Sequence, residues 1–225
     1  MKTIRVTGKG QIKVHPDMTR VTIELEGTYK DYAKTLRRSS EDTEAIKDLL
    51  VPFRFERTDL KTLSFGVETE YESYQERRGD RTEYKRRFVG YKYTHRMKVE
   101  FESDNDRLGK ILYALTTCPL DPEFSLSYTV KDPEAAKNLL LDKAVKDAIA
   151  KAGVLAGAAG QKLGEIQNMD YSWGHIDFEF RPMDSGLGSR IEEPGCVLES
   201  KSLDLDIEPD DIEVEDTVTV VWEIL

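Results

Sequence analysis

The stretch DPEAAKNLLLDKAVKDAIAKAGVLAGAAG, residues 132–160, marks one long helix from its first residue to its last. Asp132 can accept hydrogen bonds at the N-cap, Pro133 suits the first helical position, and Gly160 can take the left-handed conformation that ends a helix. Between these ends runs an apolar stripe of Ala136, Leu140, Ala144, Ala148, Ala152, Leu155 and Ala159. Such a stripe predicts that another layer of the protein covers one side of the helix.

Two glycines, Gly153 and Gly157, lie one turn apart inside this helix. A glycine within a helix costs about 0.5–1 kcal/mol relative to alanine. We expect close packing to offset that cost, with both glycines facing inward against a sheet. A helix contact between two subunits is the alternative. In so polar a chain, the spacing of small residues does not indicate a membrane helix.

Strand patterns continue outward from the helix in both directions. Alternating or continuous apolar runs predict strands around residues 4–6, 21–25, 60–74, 83–101, 124–130, 163–174 and 214–225. The segment HIDFEF, residues 175–180, is expected to extend the strand before it. Between the two longest runs, Gly79 and Asp80 suit a hairpin turn.

Two further helices complete the predicted order. One covers roughly residues 31–50, and a shorter one begins at a cap provided by Ser103 or Asp104. The middle of the chain then reads strand, helix, strand, strand, helix, strand, which is the split βαβ order of a ferredoxin-like layer. We therefore predict an α+β fold, in which helices lie on one face of a mixed or antiparallel sheet and a long β-hairpin protrudes.

The composition predicts a globular protein with one sizeable core. The chain has 225 residues, of which 39% are hydrophobic and 34% charged, and its net charge is -10. We expect a single domain over residues 1–225, with the hairpin projecting at about residues 60–102 and a flexible loop at about residues 181–200. No apolar run approaches the roughly 20 residues that a membrane span needs.

No pattern of residues indicates a catalytic, metal or cofactor-binding site. Metal ligands usually converge with at least one short spacing. The histidines and cysteines, by contrast, are isolated from one another: His15, His95, His175, Cys118 and Cys196. The Gly-Lys-Gly sequence at residues 8–10 lacks the spacing of a phosphate-binding loop. We expect no cofactor, and a binding or structural protein rather than an enzyme.

The N-terminal sequence MKTIRVTGKG alternates apolar and polar residues and lacks the apolar core of a signal peptide. We expect it to form the first strand of the mature fold. The expected location is therefore the cytoplasm, where the two cysteines would stay reduced. A periplasmic location would require that the N-terminus is truncated.

The most unusual chemistry lies in YESYQERRGDRTEYKRRFVGYKYTHRMK, residues 71–98, which interleaves aromatic and basic side chains. The candidate interaction residues are Tyr74, Arg77, Arg78, Arg81, Tyr84, Arg86, Arg87 and Tyr91. Such a hairpin can mediate self-assembly or bind another protein. Stacking aromatics beside basic groups can also bind single-stranded nucleic acid or an anionic ligand, although the acidic net charge argues against general nucleic-acid binding.

Charge is distributed unevenly along the chain. From His175 onward there are fifteen acidic residues against three basic ones. Opposite patches on one molecule favour head-to-tail contacts, which close into rings when the rotation allows. Our first hypothesis is a non-enzymatic protein that self-assembles or binds protein partners through the hairpin. A binding module for single-stranded nucleic acid or an anionic ligand is the alternative, and an unrecognised enzyme is the third.

Four stretches, in this order, resemble the SIMPL domain family: IRVTGKGQIKVHPDMTRVTIELEG, VGYKYTHRMKVEF, AVKDAIAKAGVLAGAAGQKLGEI and IEPDDIEVEDTVTVVWEI. That family includes periplasmic immunogenic or outer-membrane antigens, proteins of oxidative-stress defence, and an animal protein that associates with a pelle-like kinase. The resemblance implies an α+β fold and, in some members, self-assembly into ring-like or channel-like oligomers. It implies no established catalytic residues.

Overall fold

The computed structural model describes residues 2–78, 81–171, 176, 178–181 and 207–225, with the backbone alone at residues 77, 78 and 81–83. Within these residues the strands are β1 (Thr3–Val14), β2 (Met18–Tyr29), β3 (Lys61–Arg78), β4 (Arg81–Glu102), β5 (Glu123–Thr129), β6 (Leu163–Tyr171), β7 (Glu179–Phe180) and β8 (Ile212–Ile224). The helices are α1 (Tyr32–Leu50), α2 (Asn105–Thr116) and α3 (Pro133–Ala158). The strands form two antiparallel sheets, so the predicted α+β class is confirmed.

The chain divides into two compact units. The first comprises Met1–Met18, Tyr128–Phe180 and Pro209–Leu225, and the second comprises Thr19–Ser127 and Arg181–Glu208. The first unit contains α3 and a three-stranded sheet with the order β1-β8-β6. That residues 1–225 form a single domain stays a prediction, and the predicted loop lies, beyond Arg181, outside the described residues.

Helix α3 begins and ends where the sequence predicts. The Asp132 side chain accepts a hydrogen bond of 2.9 Å from the backbone N–H of Ala135. After the last turn, Gly160 has a φ of 66°, which lies in the left-handed region that favours glycine. Both caps satisfy backbone groups that the helix itself leaves unpaired.

Helix α3 lies directly on β1 because small residues face each other across the contact. An added Cβ at Gly8 would lie 2.1 Å from the carbonyl oxygen of Ala144, and one at Gly10 would lie 2.2 Å from that of Leu140. No real Cβ fits at such distances, so only glycine allows this approach. The buried side of the helix consists of Ala136, Leu140, Ala144, Ala148, Ala152 and Ala156.

The prediction that Gly153 and Gly157 face inward is wrong. Both are exposed, and in the described part of the chain no atom of another element lies within 4 Å of the Cβ that either would carry as alanine. The buried positions recur every four residues and continue through Ala156, so the two glycines fall beside the stripe, and Leu155 is half exposed. The close approach is achieved by alanines on the helix and glycines on the strand.

Side chains of α3 also cover the free edge of β1. The backbone N–H of Lys9 donates a hydrogen bond of 2.7 Å to the Asp147 carboxylate, and the Lys143 ammonium donates one of 3.2 Å to the carbonyl oxygen of Gln11. Hydrogen bonds from Lys151 and then from the Lys9 N–H lower the pKa of Asp147. These contacts occupy groups that another strand would otherwise pair with.

The second unit contains the ferredoxin-like layer that the sequence predicts. Its strands have the order β3-β4-β2-β5, as expected when the chain runs β2, α1, β3, β4, α2, β5. The side chains of Asp31 and Asp104 cap α1 and α2 by accepting hydrogen bonds from backbone N–H groups. The largest fully buried side chains of this unit are Tyr93, Ile23, Leu25, Ile46, Leu50, Met97, Leu108, Ile111, Leu115 and Val21.

The expectation that residues 175–180 extend β6 is wrong where the structure describes them. Strand β7 pairs with β5 instead, and Phe180 lies opposite Tyr128. Phe178 is buried in a cluster with Ile12 and Val130. Phe178 is thus buried and Phe180 partly buried away from β6, which the local alternation does not reveal.

A buried histidine joins α1 to the hairpin. The two ring nitrogens of His95 lie 2.9 Å from the hydroxyl oxygens of Thr43 on α1 and Thr62 on β3, so both are hydrogen-bonded. The Phe65 ring packs edge-on against it, with centroids 5.2 Å apart. Burial, with a smaller contribution from the charge of Lys47, lowers the pKa of His95 below its ordinary value.

We predict that Gly8→Ala lowers the free energy of unfolding by at least about 1–3 kcal/mol, which is the usual cost of overpacking. The new methyl group would meet helix backbone, which cannot move as one side chain can. The matched control is Gly157→Ala, which adds the same methyl group to the open side of α3 and should stabilise by about 0.5–1 kcal/mol. Urea unfolding measures both, and equal effects of the two changes would contradict the described packing.

We predict that His95 makes the folded state less stable in acid. Because its pKa is lower in the folded than in the unfolded chain, the unfolded chain binds the proton more readily. The free energy of unfolding is therefore unaffected by His95 above the unfolded-state pKa of about 6.5. Below that pH it decreases, by at most about 1.4 kcal/mol for each pH unit. Urea unfolding at pH values on both sides should show a steeper loss for the wild type than for His95→Gln. Equal pH dependence would refute this assignment.

Candidate interaction site on the long hairpin

The distal part of the β3–β4 hairpin extends beyond the third strand of its sheet. Strand β2, the other neighbour of β4, ends at Tyr29. Its backbone there is level with Gly90, where an added Cβ would lie 2.5 Å from the Tyr29 carbonyl oxygen. Past this point, residues 71–78 and 81–88 pair only with each other in the part of the chain that the structure describes.

A β-bulge lies where the third strand ends. The pairing steps from Glu70 opposite Gly90 to Tyr71 opposite Phe88, so Val89 is the extra residue. Because side chains alternate along a strand, one extra residue returns Phe88 to the face that carries Tyr91. The bulge thus keeps aromatic side chains on one face across the change of register.

Four rings and one guanidinium form a continuous line, which we call the aromatic row: Tyr32, Tyr91, Phe88, Tyr71 and Arg86. Successive ring centroids are 5.3 Å, 5.4 Å and 5.7 Å apart, in edge-to-face arrangements. The Arg86 guanidinium lies 5.2 Å from the centroid of the Tyr71 ring. Tyr32, at the start of α1, is 50% exposed, while Tyr71 and Phe88 are 47% and 44% exposed.

The opposite face of the hairpin carries paired charges, and we call it the charged face. Arg87 lies 2.6 Å from Glu72 across the two strands, and Lys85 pairs with Glu76. The hydrogen bond to Glu76 raises the pKa of Lys85. Residues 61–102 contain ten Lys and Arg against eight Asp and Glu, so the hairpin is close to neutral and not strongly basic.

The structure divides the predicted interaction residues between the two faces. Tyr84, Arg86 and Tyr91 lie on the side of the aromatic row, and Tyr74 and Arg87 lie on the charged face. Tyr84 is 75% exposed and accepts a hydrogen bond of 3.0 Å from Gln75. The backbone of the remaining three belongs to the ribbon, with Arg77 opposite Thr82 and Arg78 opposite Arg81.

Sequence reasoning missed three members of the aromatic row: Tyr32, Tyr71 and Phe88. The two hairpin residues stand out in the sequence as aromatics, but the bulge at Val89 hides that they share a face. Tyr32 comes from another element, and only the folded chain brings it to Tyr91. The predicted turn at Gly79 and Asp80 lies outside the described residues.

The histidine and cysteine side chains that the structure describes do not form a metal site. His15 is an exposed partner of Asp211 at 3.2 Å, and Cys118 is a half-buried free thiol. Among these residues, no three His, Cys, Asp or Glu side chains lie close enough to hold a metal ion. None of the described helices combines the length and the apolar character of a membrane span.

Two relatives of this chain have names that state where they are located. The 26 kDa periplasmic immunogenic proteins of Brucella melitensis biotype 1 and of Brucella abortus strain S19 are each 27% identical over 163 residues, or 72% of this chain. The match spans 64% of the length of those relatives. The prediction of a cytoplasmic protein is therefore contradicted. The N-terminal alternation reports on β1 and carries no information about location.

The resemblance inferred from the sequence is confirmed by a family model. The model of the SIMPL family, described as a protein of unknown function (DUF541), matches residues 4–222. This range runs from Ile4, the second residue of β1, to Trp222 in β8, and so includes both sheets and the hairpin. The chain belongs to the SIMPL family.

Proposed function

We propose that this protein self-assembles in the periplasm and that the aromatic row of its hairpin contacts a second copy. The proposed location rests on the Brucella relatives, which are named as periplasmic proteins. The observation that carries the assembly is the half-exposed pair Tyr71 and Phe88 on a two-stranded ribbon. Adjacent exposed aromatics of this kind are typical of interaction surfaces.

Burial of the aromatic row would stabilise both the contact and the ribbon. An isolated two-stranded hairpin is marginally stable in water, because it lacks a covered apolar face. Removing the exposed half of one large ring from water, about 100 Å², contributes roughly 2.5 kcal/mol. Tyr71 and Phe88 supply two such rings on one face of the ribbon. A partner that covers them therefore provides the third layer that β2 does not reach.

A second copy of this chain fits the aromatic row by charge. The net charge of the whole chain is -10, whereas the hairpin has two more basic than acidic residues. Two copies with this net charge repel one another overall, so approach through the hairpin, with its small positive charge, meets less repulsion than approach through an acidic surface. Arg86 is the cation that accompanies the rings, because Lys85 and Arg87 already pair with glutamates on the other face.

Binding of single-stranded nucleic acid or an anionic ligand through the hairpin is the second candidate. Arg86 stacked on Tyr71 is the kind of group that binds a base beside a phosphate. Such binding also needs cations that face the phosphates. Lys85 and Arg87 pair with Glu76 and Glu72 instead, and this pairing favours self-assembly as the better supported function.

The experiment compares two neighbouring arginines on opposite faces, as Arg86→Glu and Arg87→Glu. The two variants have identical net charge, so any difference reports the face. We expect the wild type to be oligomeric by light scattering at micromolar concentration, Arg86→Glu to shift towards monomer by about tenfold or more in dissociation constant, and Arg87→Glu to assemble like the wild type. Circular dichroism checks that both variants stay folded.

Salt separates apolar from ionic assembly. At about 1 M salt the Debye length is about 3 Å, which weakens exposed ion pairs and leaves ring burial intact. We expect the oligomer to persist there. A wild type that is monomeric at low salt, or equal behaviour of the two variants, would refute the proposal, and salt-sensitive binding of a single-stranded oligonucleotide by that monomer would establish the second candidate.

A further inference from the structure

The face of the three-stranded sheet opposite α3 is polar. Side chains of β1 alternate, so those next to Gly8 and Gly10 in sequence point away from the helix. At one end of this face, Lys9 pairs with Glu215 at 2.5 Å, and Lys13 pairs with Glu213. Cross-strand pairs of this kind satisfy both charges, and they account for that half of the face.

The pattern of paired charges stops at the other half of the face. Arg5 lies opposite Val221, which in turn lies opposite Asn168 on β6. In the next row, Asp170 lies on β6 opposite Thr219. In the described part of the chain, neither Arg5 nor Asp170 forms an ion pair with the other or with any other residue.

These two unpaired charges border one concavity. It has a volume of about 350 Å³ and is lined by Arg5, Thr7, Asn168, Asp170, Thr219 and Val221. The hydroxyls of two lining residues, Thr7 and Thr219, lie 2.9 Å apart and can hydrogen-bond to a ligand as well. Arg5 and Asp170 stand two strands apart, or about 10 Å across the sheet, so their side chains can approach a small molecule from both sides.

We propose that this concavity binds a small zwitterion, an amino acid or a dipeptide, with its carboxylate on Arg5 and its ammonium on Asp170. A guanidinium binds a carboxylate through paired N–H donors, and a carboxylate accepts from an ammonium. A simple anion would be repelled by Asp170 and a simple cation by Arg5. A ligand that carries both charges satisfies both side chains.

The lining disfavours other classes of small ligand. A sugar or a nucleobase is usually held against an aromatic ring, and none of the six lining residues is aromatic. A nucleotide phosphate is usually held by several cations or by backbone N–H groups at a helix N-terminus. Here Arg5 is the single cation among the lining residues. The zwitterion is the class that uses both charged groups.

The test uses ligand-observed NMR with L-alanine and L-alanyl-L-alanine as probes. We expect at least one of them to bind in the millimolar range, and the preferred probe distinguishes a free amino acid from a dipeptide. N-acetyl-L-alanine lacks the ammonium and L-alaninamide lacks the carboxylate, so both should bind at least about tenfold more weakly than L-alanine if the amino acid is the ligand. For a dipeptide ligand, the N-acetylated and C-amidated forms of L-alanyl-L-alanine serve the same purpose.

The matched variants are Arg5→Gln and Lys9→Gln, which remove one cation each from the same strand and face. We expect Arg5→Gln to abolish binding, Asp170→Asn to abolish the preference for a free ammonium, and Lys9→Gln to bind like the wild type. All three positions are exposed, so unfolding curves should stay near that of the wild type. No binding of either probe, or equal binding by Arg5→Gln and Lys9→Gln, would overturn the proposal.

Discussion

The close backbone contact between Tyr29 and Gly90 determines what the hairpin can do. It marks the level at which β2 ends, and only a residue without a side chain allows the Tyr29 carbonyl to approach so closely. Up to that level, β4 is paired on both sides and its inner face is covered by α1. Past it, the same two strands continue as a ribbon, and among the residues that the structure describes no third strand or helix covers its aromatic side chains.

The two faces of this ribbon differ in whether their side chains find partners within one chain. The charged face is complete within one chain, because acids and bases lie opposite one another across the strands. The aromatic row is not complete, because ring-to-ring contacts leave about half of each outer ring in water. Burial of apolar area is the largest available gain in free energy, so the incomplete face is where a partner gains most.

Much of the fold follows from local patterns in the sequence. The ends of α3 can be predicted because helix capping involves only residues within one turn, here Asp132, Pro133 and Gly160. The strand–helix order likewise predicts the ferredoxin-like layer, because connection rules restrict which strands can be neighbours. By contrast, the inward face of α3 depends on its partner strand: the helix carries alanines at the contact because Gly8 and Gly10 lie beneath it. No feature of the helix sequence alone distinguishes that arrangement from inward glycines.

The sequence predicts which segment holds the candidate site, but it does not predict which side chains share one face of that segment. The density of aromatic and basic residues identifies residues 71–98, yet the bulge at Val89 decides which of them share a face. The pairing of Arg87 with Glu72 likewise depends on the register of the two strands, which cannot be inferred from composition. For this reason the sequence suggests a basic hairpin, whereas the folded hairpin has one nearly neutral face of paired charges and one aromatic face.

Hydrogen exchange of the backbone amides of residues 71–76 and 84–88, measured over a range of protein concentrations, shows whether a second copy covers the ribbon. Within the described residues the two strands of the ribbon pair only with each other, so its amides should exchange readily in the monomer. We expect their protection to rise with protein concentration, while that of the amides of residues 91–99, next to β2 and α1, stays constant. Protection of the ribbon that is independent of concentration, in a protein that nonetheless assembles, would contradict assembly through the aromatic row.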